Sequence, residues 1–104
     1  MPTLAASLGD NADHFVLVAQ AILTTDTVEK TAFARIEVAG PDGAVREIRI
    51  AALGKGSGMI HPQLVPHATM LVYILTDAAI EPAVLDAYLR PAIEVSFNRI
   101  SVDG

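Results

Sequence analysis

The sequence predicts an α/β fold in which helices flank a mixed β-sheet. One observation is an apolar segment with helical spacing near the N-terminus. Another is a pair of alternating segments that a Gly-Pro-Asp-Gly turn separates. The third is an almost unbroken apolar run from residue 69 that leads into a second helical segment. No repeat or linker divides the 104 residues, so we expect one α/β unit over residues 1–104.

The first helix is predicted over residues 14–23, with Asp13 as its N-cap. Four apolar residues fall at helical spacing: Phe15, Val18, Ala19 and Ile22. Val16 and Leu17 are also apolar and broaden the stripe. Because the stripe is broad, we expect the helix to be well buried. The Thr-Thr-Asp-Thr segment at residues 24–27 is a poor helix interior and ends the helix.

A β-hairpin is predicted next, with strands over residues 31–39 and 44–53. The intervening residues 40–43 form a strong turn signal, since proline presets φ and glycine tolerates a positive φ. The apolar run over residues 69–77 then predicts a central strand that is buried on both faces.

The second helix is expected to begin at Glu81 and Pro82, because proline suits the first turn. Four of its residues should face inward: Val84, Leu85, Tyr88 and Leu89. Pro91 either ends this helix or begins the next, which runs to about residue 98.

Composition narrows the class of protein. The net charge is −5 and the seven basic residues are scattered, which argues against a nucleic-acid partner. There are no cysteines, so disulfides and thiolate zinc sites are excluded. The N-terminus lacks a basic secretory region, and the longest apolar stretch is too short for a bilayer, which predicts a cytoplasmic protein without a membrane partner.

The balance of residue types suggests a missing partner surface. Hydrophobic residues make up 52% of the chain and charged residues 18%, whereas about 25% charged residues is usual for soluble domains. A small free-standing domain needs more polar surface than this. We therefore expect either a large apolar face that meets a partner or a part of a larger enzyme.

Three places carry residues suited to chemistry. Lys55 lies in a glycine-rich segment that resembles neither a P-loop nor a dinucleotide fingerprint, and it suits an anionic group. Thr69 follows the small residue Ala68, and cleavage between them would let the α-amine of Thr69 activate its own hydroxyl. Taken alone, that pair is more typical of the start of a strand. Residues 24–27 suit either a polar pocket or a plain helix terminus.

The histidines do not predict a metal site. His61 and His67 are six residues apart with prolines between them, and no third ligand is obvious. His14 is expected on the surface at a helix start. No cofactor motif is present, so we expect neither a metal nor a cofactor.

Four segments in series resemble the ornithine acetyltransferase (glutamate N-acetyltransferase) family of arginine biosynthesis. They are Ala-Ile-Leu-Thr-Thr-Asp-Thr at 21–27 with Lys30, residues 54–62, Ala-Thr-Met-Leu at 68–71 with Thr-Asp-Ala at 76–78, and residues 96–104. Each segment alone is weak evidence. Together they cover most of the chain from about residue 17.

The resemblance implies an N-terminal-nucleophile-like fold that cleaves itself between Ala68 and Thr69. Thr69 would take the acetyl group from N2-acetylornithine as an acyl-enzyme and pass it to glutamate. Thr24 and Lys55 match positions at which the family binds substrate. The family enzyme is several times longer, so the resemblance implies a central fragment or split subunit, completed by the remaining segments of the enzyme or by a homo-oligomer.

Two other interpretations remain open at the level of sequence. The chain is alternatively a non-catalytic binding or oligomerisation module that keeps the same core. It is also compatible with a self-processing aminopeptidase of related architecture, although the Lys55 segment favours the acetyltransferase.

Overall fold

A computed structural model of the chain describes residues 9–58 and 70–101. Two helices, three strands and a short 3-10 helix make up this part of the chain. In chain order they are α1 (Ala12–Ala21), β1 (Lys30–Ala39), β2 (Val45–Lys55), β3 (Leu71–Thr76), α2 (Pro82–Val95) and the 3-10 helix (Phe97–Arg99). The expected α/β class is confirmed.

Helix α1 begins two residues earlier than the sequence pattern predicts. Asn11 is the N-cap, and its side chain accepts the backbone N–H of His14 at 3.0 Å. Asp13 lies within the first turn instead, where its carboxylate interacts favourably with the positive end of the helix dipole. The N-cap prediction was therefore wrong by two residues, because both side chains suit a helix start and only the backbone path decides between them.

Strands β1 and β2 form the predicted antiparallel hairpin, with a register that runs from Lys30 opposite Gly54 to Ala39 opposite Val45. Gly43 has a φ of 77° and donates its N–H to the carbonyl of Gly40 at 2.9 Å, as the turn signal requires. Strand β2 continues two residues beyond the predicted end. Lys55 is therefore held in the sheet rather than in the glycine loop.

Strand β3 pairs with β2 in antiparallel orientation, so the sheet order is β1-β2-β3. Within the described residues the sheet is antiparallel throughout, which corrects the prediction of a mixed sheet. Strand β3 was also predicted to be central and buried on both faces. It lies at an edge, and Leu71, Tyr73 and Leu75 are about half exposed. Its apolar pattern is that of a covered strand, but the described residues supply no covering layer.

Helix α2 begins at Pro82 as predicted, with Glu81 as its N-cap residue. It continues through Pro91 to Val95 and is followed by the 3-10 helix, so Pro91 neither ends nor begins a helix. Among the described elements α2 packs only against that 3-10 helix. Tyr88 is consequently 75% exposed, and the inward orientation predicted for its face is wrong here: Val84, Leu85 and Leu89 are exposed as well.

The core is small and lies between α1 and the sheet. Ala19, Leu53 and Met70 are its buried apolar residues, and the rings of Phe15 and Phe33 pack 5.2 Å apart between α1 and β1. Most of α1 is nevertheless exposed, which contradicts the prediction of a well-buried helix. No helix in residues 9–58 and 70–101 is long and apolar enough to cross a membrane.

Candidate functional site

Two sequence motifs far apart in the chain meet at one end of the sheet. The turn after α1 lies against the end of β2 and the glycine loop that follows it. Three hydrogen-bonded pairs join the two segments: Lys55 Nζ to Thr24 Oγ1 at 3.4 Å, Thr25 Oγ1 with Ser57 Oγ at 2.8 Å, and Gly56 N to Asp26 Oδ1 at 2.8 Å. We call this set the turn–loop clamp.

The hairpin register explains why these motifs meet. Lys30, the first residue of β1, pairs with Gly54 near the end of β2. The chain that arrives from α1 must therefore pass beside the residues that leave β2. The helix ends at Ala21, and the Thr-Thr-Asp-Thr segment that follows is a poor helix interior. Local chemistry and strand register together place residues 24–26 against residues 55–57.

Gly56 allows the close approach. Its φ is 148°, a backbone conformation that residues with a side chain rarely adopt. A Cβ atom at this position would also lie 3.3 Å from Cβ and Cγ of the buried Met70. Glycine therefore lets the backbone turn toward Asp26 while the start of the β3 segment packs directly beneath it.

Asp26 is the carboxylate at the centre of the clamp. Its Oδ1 accepts hydrogen bonds from Lys30 Nζ and from the backbone N–H of Gly56. The Lys30 hydrogen bond, followed by that of Gly56, holds the pKa of Asp26 below its ordinary value of 3.8. The side chain has no exposed surface, and its Oδ2 has no hydrogen-bond partner within residues 9–58 and 70–101.

Lys55 has no counter-ion within residues 9–58 and 70–101. The carboxylate nearest in the clamp, Asp26, is paired with Lys30. Arginines elsewhere pair with carboxylates in the same way: Arg35 and Arg49 with Glu47, Arg46 with Asp42, and Arg90 with Asp86. In the described part of the chain Lys55 has only the Thr24 hydroxyl as a partner. Lys55 is a half-buried residue, and an ammonium without a counter-ion is suited to bind an anion.

A cavity of about 330 Å³ adjoins the clamp. Two lysines line it: Lys30 at the start of β1 and Lys55 at the end of β2. Much of the rest of its wall is apolar and comes from the sheet, residue 70 and the C-terminal segment: Ala32, Ala52, Leu53, Met70, Val72, Phe97 and Ile100. Such a lining suits a short aliphatic chain that ends in an anionic group.

The structure brings two of the predicted site residues together. Thr24 and Lys55 are in contact through their side chains. Ala68 and Thr69 lie outside the described residues, as do His61 and His67, so their predicted roles stay predictions. Within residues 9–58 and 70–101 no three side chains of metal-binding type cluster.

Sequence reasoning missed the importance of Asp26 and Ser57. Asp26 precedes Lys30 by four residues, which is a spacing typical of a local ion pair and was available as a signal. Nothing in the sequence joins Asp26 to Gly56, because 30 residues separate them. The bond between Thr25 and Ser57 is equally long-range, with 32 residues between the partners.

Comparison with known proteins identifies relatives of the chain. The family model described as "ArgJ family" matches residues 1–104. The arginine biosynthesis bifunctional protein ArgJ of Desulfotalea psychrophila is 46% identical over 92 residues, covering 88% of this chain and 21% of that protein. The same-named protein of Symbiobacterium thermophilum is 50% identical over 86 residues, covering 83% and 19%. No solved structure matches the chain.

A fungal relative matches the whole chain. The mitochondrial ArgJ of Pyricularia oryzae is 43% identical over all 104 residues, which amount to 21% of its own length. The chain thus spans about a fifth of the length of these relatives. The resemblance seen in the four motifs is confirmed by the family match over the full length. The chain belongs to the ArgJ family.

Proposed function

We propose that the chain forms the central part of an enzyme that transfers an acetyl group from N2-acetylornithine to glutamate in arginine biosynthesis. The observation that supports this most is the ammonium of Lys55, which lies beside Thr24 and has no counter-ion among the described residues. These two residues stand in the motifs that match the family, and the relatives are named as arginine biosynthesis proteins. Both substrates carry a carboxylate that a lysine can bind.

The proposed chemistry uses Thr69 as the nucleophile. Cleavage of the bond between Ala68 and Thr69 frees the α-amine of Thr69, which takes the hydroxyl proton as Oγ attacks the acetyl carbonyl. Ornithine leaves with a proton on its α-amine, and the acetyl group remains as an ester on Thr69. The amine of glutamate then attacks that ester, and the Thr69 hydroxyl is restored.

Lys55 and Thr24 of the turn–loop clamp would bind the substrate and would not form a covalent bond with the acetyl group. The Lys55 ammonium pairs with the substrate carboxylate, and the Thr24 hydroxyl holds the ammonium in place or contacts the substrate directly. Holding the acetyl donor in a reactive orientation lowers the activation barrier, because the loss of translational and rotational freedom then occurs on binding. Groups that stabilise the tetrahedral oxyanion would come from the remaining segments of the enzyme, because the chain spans about a fifth of its relatives.

The test supplies those missing segments. The 104-residue chain is co-produced with the two flanking parts of the Symbiobacterium thermophilum relative, and this complemented assembly is assayed for acetylglutamate formation from acetylornithine. We expect transfer by the assembly and none by the chain alone. Thr69→Ala should abolish transfer, whereas Thr27→Ala, a threonine outside the clamp, should retain it. Transfer that survives Thr69→Ala would contradict the proposed nucleophile.

A second candidate function is a non-catalytic binding or oligomerisation module. The exposed apolar residues of β3 and α2 favour it, since they form a large surface available for assembly. Intact mass separates the two. Two products that divide before Thr69 support the enzyme, and a single species of 11.0 kDa in an inactive complemented assembly supports the module.

A further inference from the structure

We propose that Asp26 is a positioning residue that fixes the orientation of Lys55 by anchoring the next peptide group. The proposal rests on the function above, in which Lys55 binds the substrate carboxylate. It assigns a role to a residue of the first motif whose side chain contacts the backbone of the second.

A hydrogen bond from Asp26 and the pairing of the strands fix the backbone around Lys55. Asp26 Oδ1 accepts the N–H of Gly56 at 2.8 Å. That N–H belongs to the peptide unit that begins at the carbonyl carbon of Lys55, so the bond fixes the backbone at Lys55 on its C-terminal side. Pairing of Lys55 with Leu71 and of its neighbour Gly54 with Lys30 fixes the backbone as part of the sheet. The base of the lysine side chain is thus held from both directions.

The charge of Asp26 is paired with Lys30. A bare carboxylate at position 26 would compete with the substrate for the Lys55 ammonium. Lys30 pairs with the same oxygen of Asp26 that accepts Gly56, and the Lys30 side chain is 48% exposed, so it neutralises Asp26 from the solvent side. Asp26 therefore orders the loop without consuming the charge of Lys55, which retains only a hydroxyl partner among the described residues.

Asp26 differs from the other paired carboxylates of the described residues in its burial. The Asp26 side chain has no exposed surface, whereas other paired carboxylates of the chain are well exposed, for example Asp42 at 55%. A hydrogen bond shielded from water has less competition from solvent and constrains its partner more strongly. Asp42 makes the same kinds of contact at the opposite end of the hairpin: it accepts the N–H of Ala44 and pairs with Arg46. It is therefore a matched control.

The experiment compares Asp26→Ala with Asp42→Ala in the 104-residue chain and in the complemented assembly. In the chain, NMR measures hydrogen exchange at the Gly56 and Ala44 amides. Loss of a charge-assisted hydrogen bond predicts about ten-fold or greater acceleration at Gly56 in Asp26→Ala and no change there in Asp42→Ala. Asp26→Asn keeps a neutral acceptor and should give an intermediate rate, and it serves if Asp26→Ala does not fold.

In the assembly, Asp26→Ala should raise KM for acetylornithine about ten-fold while changing kcat less, because misplaced Lys55 weakens binding before chemistry. Asp42→Ala should leave both constants unchanged. Equal exchange at Gly56 in the chain and in both Asp26 variants overturns the inference, as does a loss confined to kcat. An inactive wild-type assembly with a released Gly56 amide in Asp26→Ala counts against the proposed function and leaves the anchoring role supported.

Discussion

Gly56 shows how one residue type sets the geometry of the clamp. Its φ of 148° lies in a region that other residues rarely occupy, and its missing side chain leaves room for Met70. A side chain at this position would strain the backbone that brings the Gly56 N–H to Asp26. The composition of the loop suggested freedom to approach a ligand, but the structure shows that the close approach is to the chain itself.

Gly56→Ala should destabilise the fold by about 1–3 kcal/mol, because it combines backbone strain with a contact against Met70. Gly43→Ala is the control. Gly43 also has a positive φ, but a Cβ atom added there would have nothing within 4 Å, so only strain is added. Urea unfolding of the two variants measures the difference, and an equal or smaller effect at Gly56 would show that Met70 leaves room.

Asp26 predicts a dependence of stability on pH. Its pKa in the folded chain is lowered, chiefly by the Lys30 hydrogen bond and then by Gly56. A lowered carboxyl pKa contributes stability that is fully present above the unfolded value near 3.8 and is lost as pH falls through the folded value. Unfolding midpoints should therefore fall less between about pH 6 and about pH 3 in Asp26→Asn than in the wild type. An identical fall would mean that Asp26 gains nothing from its partners.

Individual site residues were only partly accessible to sequence reasoning. Thr24 and Lys55 could be nominated from their motifs, and the fold places them in contact. The tie between Asp26 and Gly56 spans 30 residues and depends on strand register, which residue types alone do not encode. The same holds for Ser57, whose serine side chain looked like ordinary loop composition.

At the scale of elements, helix α1 illustrates which boundaries a sequence leaves undecided. Asn11 and Asp13 are both good N-cap residues, and the backbone selects Asn11. The hairpin, by contrast, followed directly from its turn, because glycine and proline restrict the local backbone strongly. Strand β3 was identified as a strand, but its place in the sheet depends on long-range pairing and on layers outside the described residues.

Removal of the cap tests the observed helix start. Asn11→Ala should reduce stability by about 0.5–2 kcal/mol, since it leaves the N–H of His14 without its acceptor. Asp13→Ala removes only a favourable charge near the helix dipole and should cost about 0.3–1 kcal/mol. Thermal unfolding of both variants at low salt checks the order, and a larger effect for Asp13 would restore the boundary predicted from the sequence.

At the scale of the whole molecule, exposed apolar surface is the dominant feature. Tyr73, Ile74 and Leu75 on β3 are about half exposed, and Tyr88 on α2 is 75% exposed. An apolar groove runs between these two elements rather than a packed interface. The high hydrophobic fraction predicted such a surface, and the relatives are about five times as long as the chain.

We expect the isolated chain to self-associate through β3 and α2. Sedimentation velocity should show oligomers that shift toward the monomer in Tyr73→Lys, on the edge strand, and in Tyr88→Lys. Arg35→Lys on β1 is a control that changes no apolar surface. A monomeric wild-type chain at concentrations of roughly 100 μM would argue that this surface needs no partner.

The proposed function requires that Thr69 carries an acetyl group during transfer. Incubation of the complemented assembly with acetylornithine in the absence of glutamate, followed by acid quenching and peptide mass spectrometry, tests it most directly. We expect one acetyl group on the hydroxyl of Thr69, which glutamate then removes. Transfer of acetyl to glutamate with Thr69 unmodified, or with Thr69→Ala still active, would contradict it.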